Sequence, residues 1–146
     1  MNDALWLALS LAAVWLVLRQ LPPSDKAIAK GLGVTALNLQ MNQRRVRGVV
    51  AMPSATVDAS IKCLKVVFAD LRMTSEQWAR KSDADRDDYT QSLCSSFCQG
   101  FMESDFHFTA AKQGWGLVMT FQTGEGAYMT TEHISSQLLV SAMTTQ

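Results

Sequence analysis

The sequence predicts an α+β protein: a single N-terminal transmembrane helix, then a small, mainly helical domain with a C-terminal β-hairpin or short sheet. Three observations carry that prediction. Residues 4–18 hold no charge and no polar face. Residues 54–103 carry apolar side chains at helical spacing. From residue 115 the chain switches to short, β-branched, Gly-bounded runs.

The opening run, ALWLALSLAAVWLVL, contains six Leu, four Ala, two Val, two Trp and one Ser before Arg19. A helix that is apolar on every side must be buried on every side, in lipid or in a core. Fifteen residues at about 1.5 Å each reach about 22 Å, short of a hydrocarbon core of about 30 Å. Extension to Leu21 closes most of the gap, because Arg19 can snorkel to the headgroups. Pro22-Pro23 then ends the helix. A cleaved signal would want a positive N-terminal region, and this chain starts Met-Asn-Asp. The small-x-small site Ala27-Ile28-Ala29 lies well beyond the apolar run. The expectation is therefore an uncleaved signal-anchor, with a buried helix of a soluble domain as the alternative.

No Lys or Arg precedes the run, whereas Arg19, Lys26 and Lys30 follow it closely. The positive-inside rule then puts the N-terminus outside and the domain on the cytoplasmic side of an inner, plasma-type membrane. Three cysteines, Cys63, Cys94 and Cys98, are too few for a disulfide framework and suit a reducing compartment.

Net charge is zero, but it is unevenly spread. Arg19 to Lys65 holds eight basic and two acidic residues; from Val66 on there are five basic and ten acidic. The chain is basic beside the apolar run, a pattern of membrane or polyanion surfaces. The organisation expected is an anchor over 1–21, a basic juxtamembrane segment over 22–53, and a compact helical domain with a hairpin over 54–146.

Ser24-Asp25 can cap a helix carrying Ile28, Leu32, Thr35 and Leu39, although Gly31 and Gly33 weaken it. The cluster QRRVRGVV runs into a possible strand. Val57, Ile61, Leu64, Phe68 and Leu71 step by four, three, four and three, which predicts a helix of about 18 residues opened by Pro53-Ser54. Thr74 with Gln77 forms a capping box, and Ser82 followed by Asp83, Asp85 and Asp87 a second cap. Tyr89, Leu93, Phe97 and Phe101 form another stripe, on one helix from about 75 to 103 or on two joined near Ser82. The two stripes are expected to pack together. FHF at 106–108 alternates like a strand. GWGLVMTFQ and AYMTTEH, separated by the turn TGEG, read as a hairpin. ISSQLLVSAM closes the chain as a helix with Ile134, Leu138 and Ala142 at i+4.

Few residues point to chemistry. Cys94 and Cys98 share a helical face, but two ligands are not a zinc site; His107 and His133 could complete one only through the fold. These four are weak metal candidates, no cofactor is expected, and no nucleophile elbow or phosphate loop is present. Arg44, Arg45 and Arg47 are the clearest surface group, suited to anionic headgroups or to a partner. No aromatic is interleaved with them, so nucleic acid is not expected. By elimination, the sequence reads as a membrane-anchored accessory or assembly subunit that binds the membrane and protein subunits of a larger complex. The alternative is a small tethered enzyme or metal-binding protein using the Cys and His residues.

Overall fold

The computed structural model describes residues 2–42 and 50–144. In chain order the elements are α1 (Asn2–Gln20), α2 (Asp25–Asn42), β1 (Val50–Asp58), β2 (Cys63–Asp70), α3 (Ser75–Arg80), α4 (Asp83–Phe101), α5 (Asp105–Lys112), β3 (Gly116–Thr123), β4 (Tyr128–Ile134) and α6 (Ser136–Thr144). The chain is α+β, with an N-terminal helix apolar enough to span a membrane, a helical domain and C-terminal strands.

The four strands form one sheet in the order β1-β2-β3-β4. Two antiparallel hairpins, β1–β2 and β3–β4, are joined by a parallel β2–β3 pair. A parallel pair needs a long crossover, and α3, α4 and α5 supply it. Cross-strand partners make the core: Leu64 beside Leu117, Val66 beside Met119, Phe68 beside Phe121. All six are at most 1% exposed. Side chains alternate along a strand, so the opposite sheet face carries Lys65, Val67, Val118, Thr120, Thr131 and His133.

Helix α4 lies on the apolar face. Ser82 Oγ accepts from the Asp85 amide at 3.2 Å, and Asp83 and Asp85 occupy the positive first turn. Leu93, Cys94 and Phe97 are buried, and the Phe97 ring meets Phe68 edge-on at 5.1 Å. Helix α2 packs against β1 and α5 through Ile28, Leu32 and Ala36, and Gln40 Nε2 donates to the Ala55 carbonyl at 2.8 Å. Gly31, a poor helix former, is explained by close approach: a Cβ there would lie 2.2 Å from the Phe106 ring of α5. Residue 53 falls inside β1, and α2 contributes Ala36 to the same core as the sheet. By contrast, α1 has none of its apolar span buried.

Several local expectations hold. Thr74 and Gln77 form the reciprocal capping box, and a joint at Ser82 separates α3 from α4. Ser24 Oγ accepts from the Ala27 amide at 3.2 Å. The β3–β4 hairpin and α6 lie where the sequence puts them.

Others do not. Residues 54–71 are not a helix but parts of two strands around a turn. Ile61 and Leu71, members of the helical stripe, are 52% and 49% exposed. Leu64, Val66 and Phe68 also fit a period of two, and β-branched residues favour that reading. The turn is fixed by Asp58 Oδ1, which accepts from the Ser60 amide, and by Lys62 at φ 52°. Pro53 is tolerated because β1 is an edge strand whose register shifts between Ala51 and Ser54. The expected contact between the two stripes survives as Phe68 against Phe97, from a strand. FHF is part of helix α5, whose Ala110 and Ala111 are buried. Arg44, Arg45 and Arg47 lie outside the described residues.

Candidate functional site

Helix α4 repeats sulfur at every fourth residue: Cys94, Cys98 and Met102 stand one turn apart on one side. Opposite them runs α6. It starts one residue after β4, with Ser135 Oγ accepting from the Leu138 amide at 3.2 Å. Leu139, 1% exposed, roots α6 in the core, whereas Leu138 on its outer side is 58% exposed. Between the two helices lies a groove of about 390 Å³, lined by Cys94 and Cys98 of α4, its C-cap Met102, Ile134 of β4, and Leu138 and Met143 of α6. Gln91, Ser95 and Gln99 add polar groups along α4.

The thiols are not set up for chemistry. Burial, then the neighbouring Cys98 and Glu132 charges, push the Cys94 thiol up to about 12; burial pushes Cys98 up to about 11. Thiols this far above neutrality stay protonated and are poor nucleophiles. What the groove offers is apolar surface with polarizable, adaptable sulfur.

The histidines lie elsewhere. His107, on α5, stacks on the Phe101 ring at 4.0 Å. Its Nδ1 donates to the Phe101 carbonyl at 2.8 Å, and Nε2 lies 2.8 Å from Thr35 Oγ1 of α2. It is a half-buried strut between helices. His133 is exposed on β4, opposite Val118. Cys94 and Cys98 are brought together, but neither histidine joins them. Among the described residues no three His, Cys, Asp or Glu side chains gather in one place. The sequence singled out both walls of the groove, Cys94 with Cys98 and Ile134 with Leu138 and Ala142, without pairing them. Met102 and Met143 were missed, since no local signal marks a methionine as groove-lining.

A second cavity of about 560 Å³ is lined by Arg72, Arg80 and Lys81 beside Asp70 and Tyr89. The Tyr89 hydroxyl donates to Asp70, and Asp70 Oδ1 accepts from the Arg72 amide at 2.9 Å. Burial, then the Asp70 bond, raise the phenol out of the titratable range. This pair ties α4 to the end of β2 and is not a free acid or base.

No protein-family model matches the sequence, and no curated protein matches it. Its fold is similar to that of solved pilotins. The pilotin EpsS of the Vibrio vulnificus type II secretion system superposes with a TM-score of 0.54 at 10% identity, over 79% of this chain and 94% of that one. The type II secretion pilotin AspS of Vibrio cholerae gives 0.52 at 12% identity, over 78% and 94%. At such identities the likeness is one of fold.

Proposed function

We propose that this chain is a membrane-anchored accessory subunit that docks a helical segment of a protein partner in the α4–α6 groove and does no chemistry of its own. The observation that carries the reading is the groove itself: an apolar trough about 390 Å³ in volume between two helices, lined by sulfur-bearing side chains that are not activated. Apolar grooves between helices take the apolar face of an amphipathic helix. The likeness to type II secretion pilotins supports a partner that is a subunit of an envelope secretion assembly.

The anchor is residues 1–21, retained and spanning the inner membrane with the N-terminus outside and the domain on the cytoplasmic side. Its support is the 18-residue window Asn2–Arg19 of mean hydropathy 1.4, none of it buried, which ends on Arg19 and is followed by Lys26 and Lys30. The sidedness rests on those flanking charges. Residues 22–53 then lie at the membrane surface, with Arg44, Arg45 and Arg47 toward anionic headgroups or the partner, and residues 54–146 carry the groove.

Affinity capture from detergent-solubilised membranes tests the groove. The native chain should retain a stoichiometric partner, and Leu138→Asp should lose it while melting as the native chain does. Equal capture by both would overturn the groove. Stoichiometric zinc or iron in the purified chain, lost in a Cys94→Ala/Cys98→Ala variant, would replace this reading with the metal-binding one.

A further inference from the structure

Helix α2 has two apolar faces, and only one is used. Ile28, Leu32 and Ala36 point into the domain at 0%, 1% and 5% exposure. On the opposite side Lys26, Lys30, Val34, Leu37 and Met41 fall within an arc of about 80° at 100° per residue. All five are exposed, Val34 and Leu37 at 55% and Met41 at 72%. Neither lysine has an ion pair among the described residues. Along the helix the stripe runs from two lysines to three apolar side chains, and Arg44, Arg45 and Arg47 follow in sequence.

We propose that this outward face of α2 rests on the anionic phospholipid surface of the same membrane that α1 crosses, Val34, Leu37 and Met41 entering the headgroup–acyl boundary beside Lys26 and Lys30. The proposal rests on the anchor reading of α1. Three features on the page select lipid as the occupant. Only residues 21–24 separate α1 from α2, and two of them are proline. A linker that short keeps the first turn of α2 within about 18 Å of the end of α1, at headgroup level. The stripe has basic residues and no acid, which complements an anionic surface. The acid adjacent in sequence, Asp25, is exposed but paired toward the domain: Lys62 Nζ lies 3.1 Å from its carboxylate, and Trp115 Nε1 donates to it at 3.2 Å. Those contacts tie the start of α2 to the β1–β2 turn and to Trp115.

Two membrane contacts, one spanning and one lying flat, would hold the domain in a defined orientation rather than swinging on a tether. A groove on α4 and α6 would then be presented to one side.

The test uses the full chain in lipid nanodiscs, with an environment-sensitive NBD fluorophore on Leu37→Cys or, as control, on Glu125→Cys, both in a background with the three native cysteines replaced by alanine. A thermal melt of each labelled chain checks the fold; Val34→Cys is the second labelling site should Leu37→Cys melt early. In discs containing phosphatidylglycerol, the label at 37 should be blue-shifted and brighter than at 125. Lys26→Gln/Lys30→Gln should reverse that shift, the docked-to-undocked ratio falling about fivefold per lysine. Chain embedded in discs with a label at 37 as wet as at 125 overturns the proposal and leaves the anchor intact. Chain that elutes apart from the discs overturns the anchor, and this inference with it. A label at 37 shielded equally in detergent, and indifferent to the lysine changes, means that another protein chain covers the face, and also overturns it.

Discussion

Helices α1 and α4 are both 19 residues long, and they are held in place by opposite means. Helix α4 is polar over most of its surface. It begins with a side-chain cap and two aspartates in its first turn, and it buries a single stripe, Leu93, Cys94 and Phe97, against the sheet. Helix α1 has Leu, Val, Trp and Ala around its whole circumference and no part of its apolar window buried. For α4, propensity, capping and one apolar stripe are jointly enough, as in most globular helices. Among the described residues nothing covers α1: eleven large apolar side chains, counting the following Leu21, stand more than half exposed. A surface patch of that size is met by another surface or by lipid. The difference is one of surface: α4 shows one apolar stripe and needs one wall of a core, whereas α1 is apolar all round and suits lipid or a second apolar surface.

Core truncation should break this contrast most visibly. Phe68 lies between Phe97, edge-on at 5.1 Å, and Phe121, stacked at 5.2 Å. Phe68→Ala should cost about 3–5 kcal/mol by lost transfer energy plus the cavity left behind. Melts of the chain in detergent should show it, while membrane association by carbonate extraction stays as in the native chain. The converse change is Leu11→Arg in α1. It should cost about 2.5–3.5 kcal/mol of insertion, releasing protein from carbonate-washed membranes without moving the melt of the domain. If Leu11→Arg lowers the melting temperature as Phe68→Ala does, α1 belongs to the core and the contrast collapses.

How much of this was legible in the sequence depended on whether two periodicities competed. In α1 none competed, because residues 4–18 are apolar but for Ser10. In β3 and β4, glycines at 114, 116, 124 and 126 bound the runs. Gly116 has its own reason to be glycine: a Cβ there would lie 2.6 Å from the Ile134 carbonyl oxygen. Between 54 and 71 both periods were satisfied. Leu64 and Phe68 are four apart and fit a helix; with Val66 they also fit a strand, and the turn at Asp58–Lys62 decided the matter. FHF had the reverse fault: three residues alternate, but Ala110 and Ala111 extend the pattern at helical spacing. The groove was illegible for another reason. Its walls, at 94–102 and 134–143, meet only because β4 leads α6 back beside α4, and that is a property of the sheet.

The caps sharpen the comparison on a smaller scale. The α4 N-terminus depends on Ser82 Oγ, whose removal in Ser82→Ala should cost about 1 kcal/mol. Thr74→Ala should cost a similar amount at α3, because it breaks one half of a reciprocal pair, Gln77 Oε1 still accepting from the Thr74 amide at 3.0 Å. Equal melting temperatures for Ser82→Ala and the native chain would mean that α4 is held by its buried stripe alone.

The smallest effect expected is one of pH, and it belongs wholly to the domain. His107 is neutral when Nδ1–H donates to the Phe101 carbonyl and Nε2 accepts from the Thr35 hydroxyl. Burial holds its pKa below the usual value, and the Phe101 bond opposes that without overcoming it. In the unfolded chain the imidazole titrates near 6.5. Between the lowered folded value and about 6.5 the unfolded state therefore binds more protons, and stability rises with pH across that window. Below the folded value both states are charged and the contribution is lost. The loss should be modest, since a protonated Nε2–H can still donate to Thr35 Oγ1, whose own hydrogen can turn to the Gly31 carbonyl at 3.3 Å. Melts at pH 7.5 and 5.5 should show a lower melting temperature at the acid end, and His107→Gln should flatten that difference while lowering both values. An unchanged slope in the variant would place the acid sensitivity elsewhere. Because α1 carries no histidine, its carbonate-resistant fraction should not change after incubation at either pH.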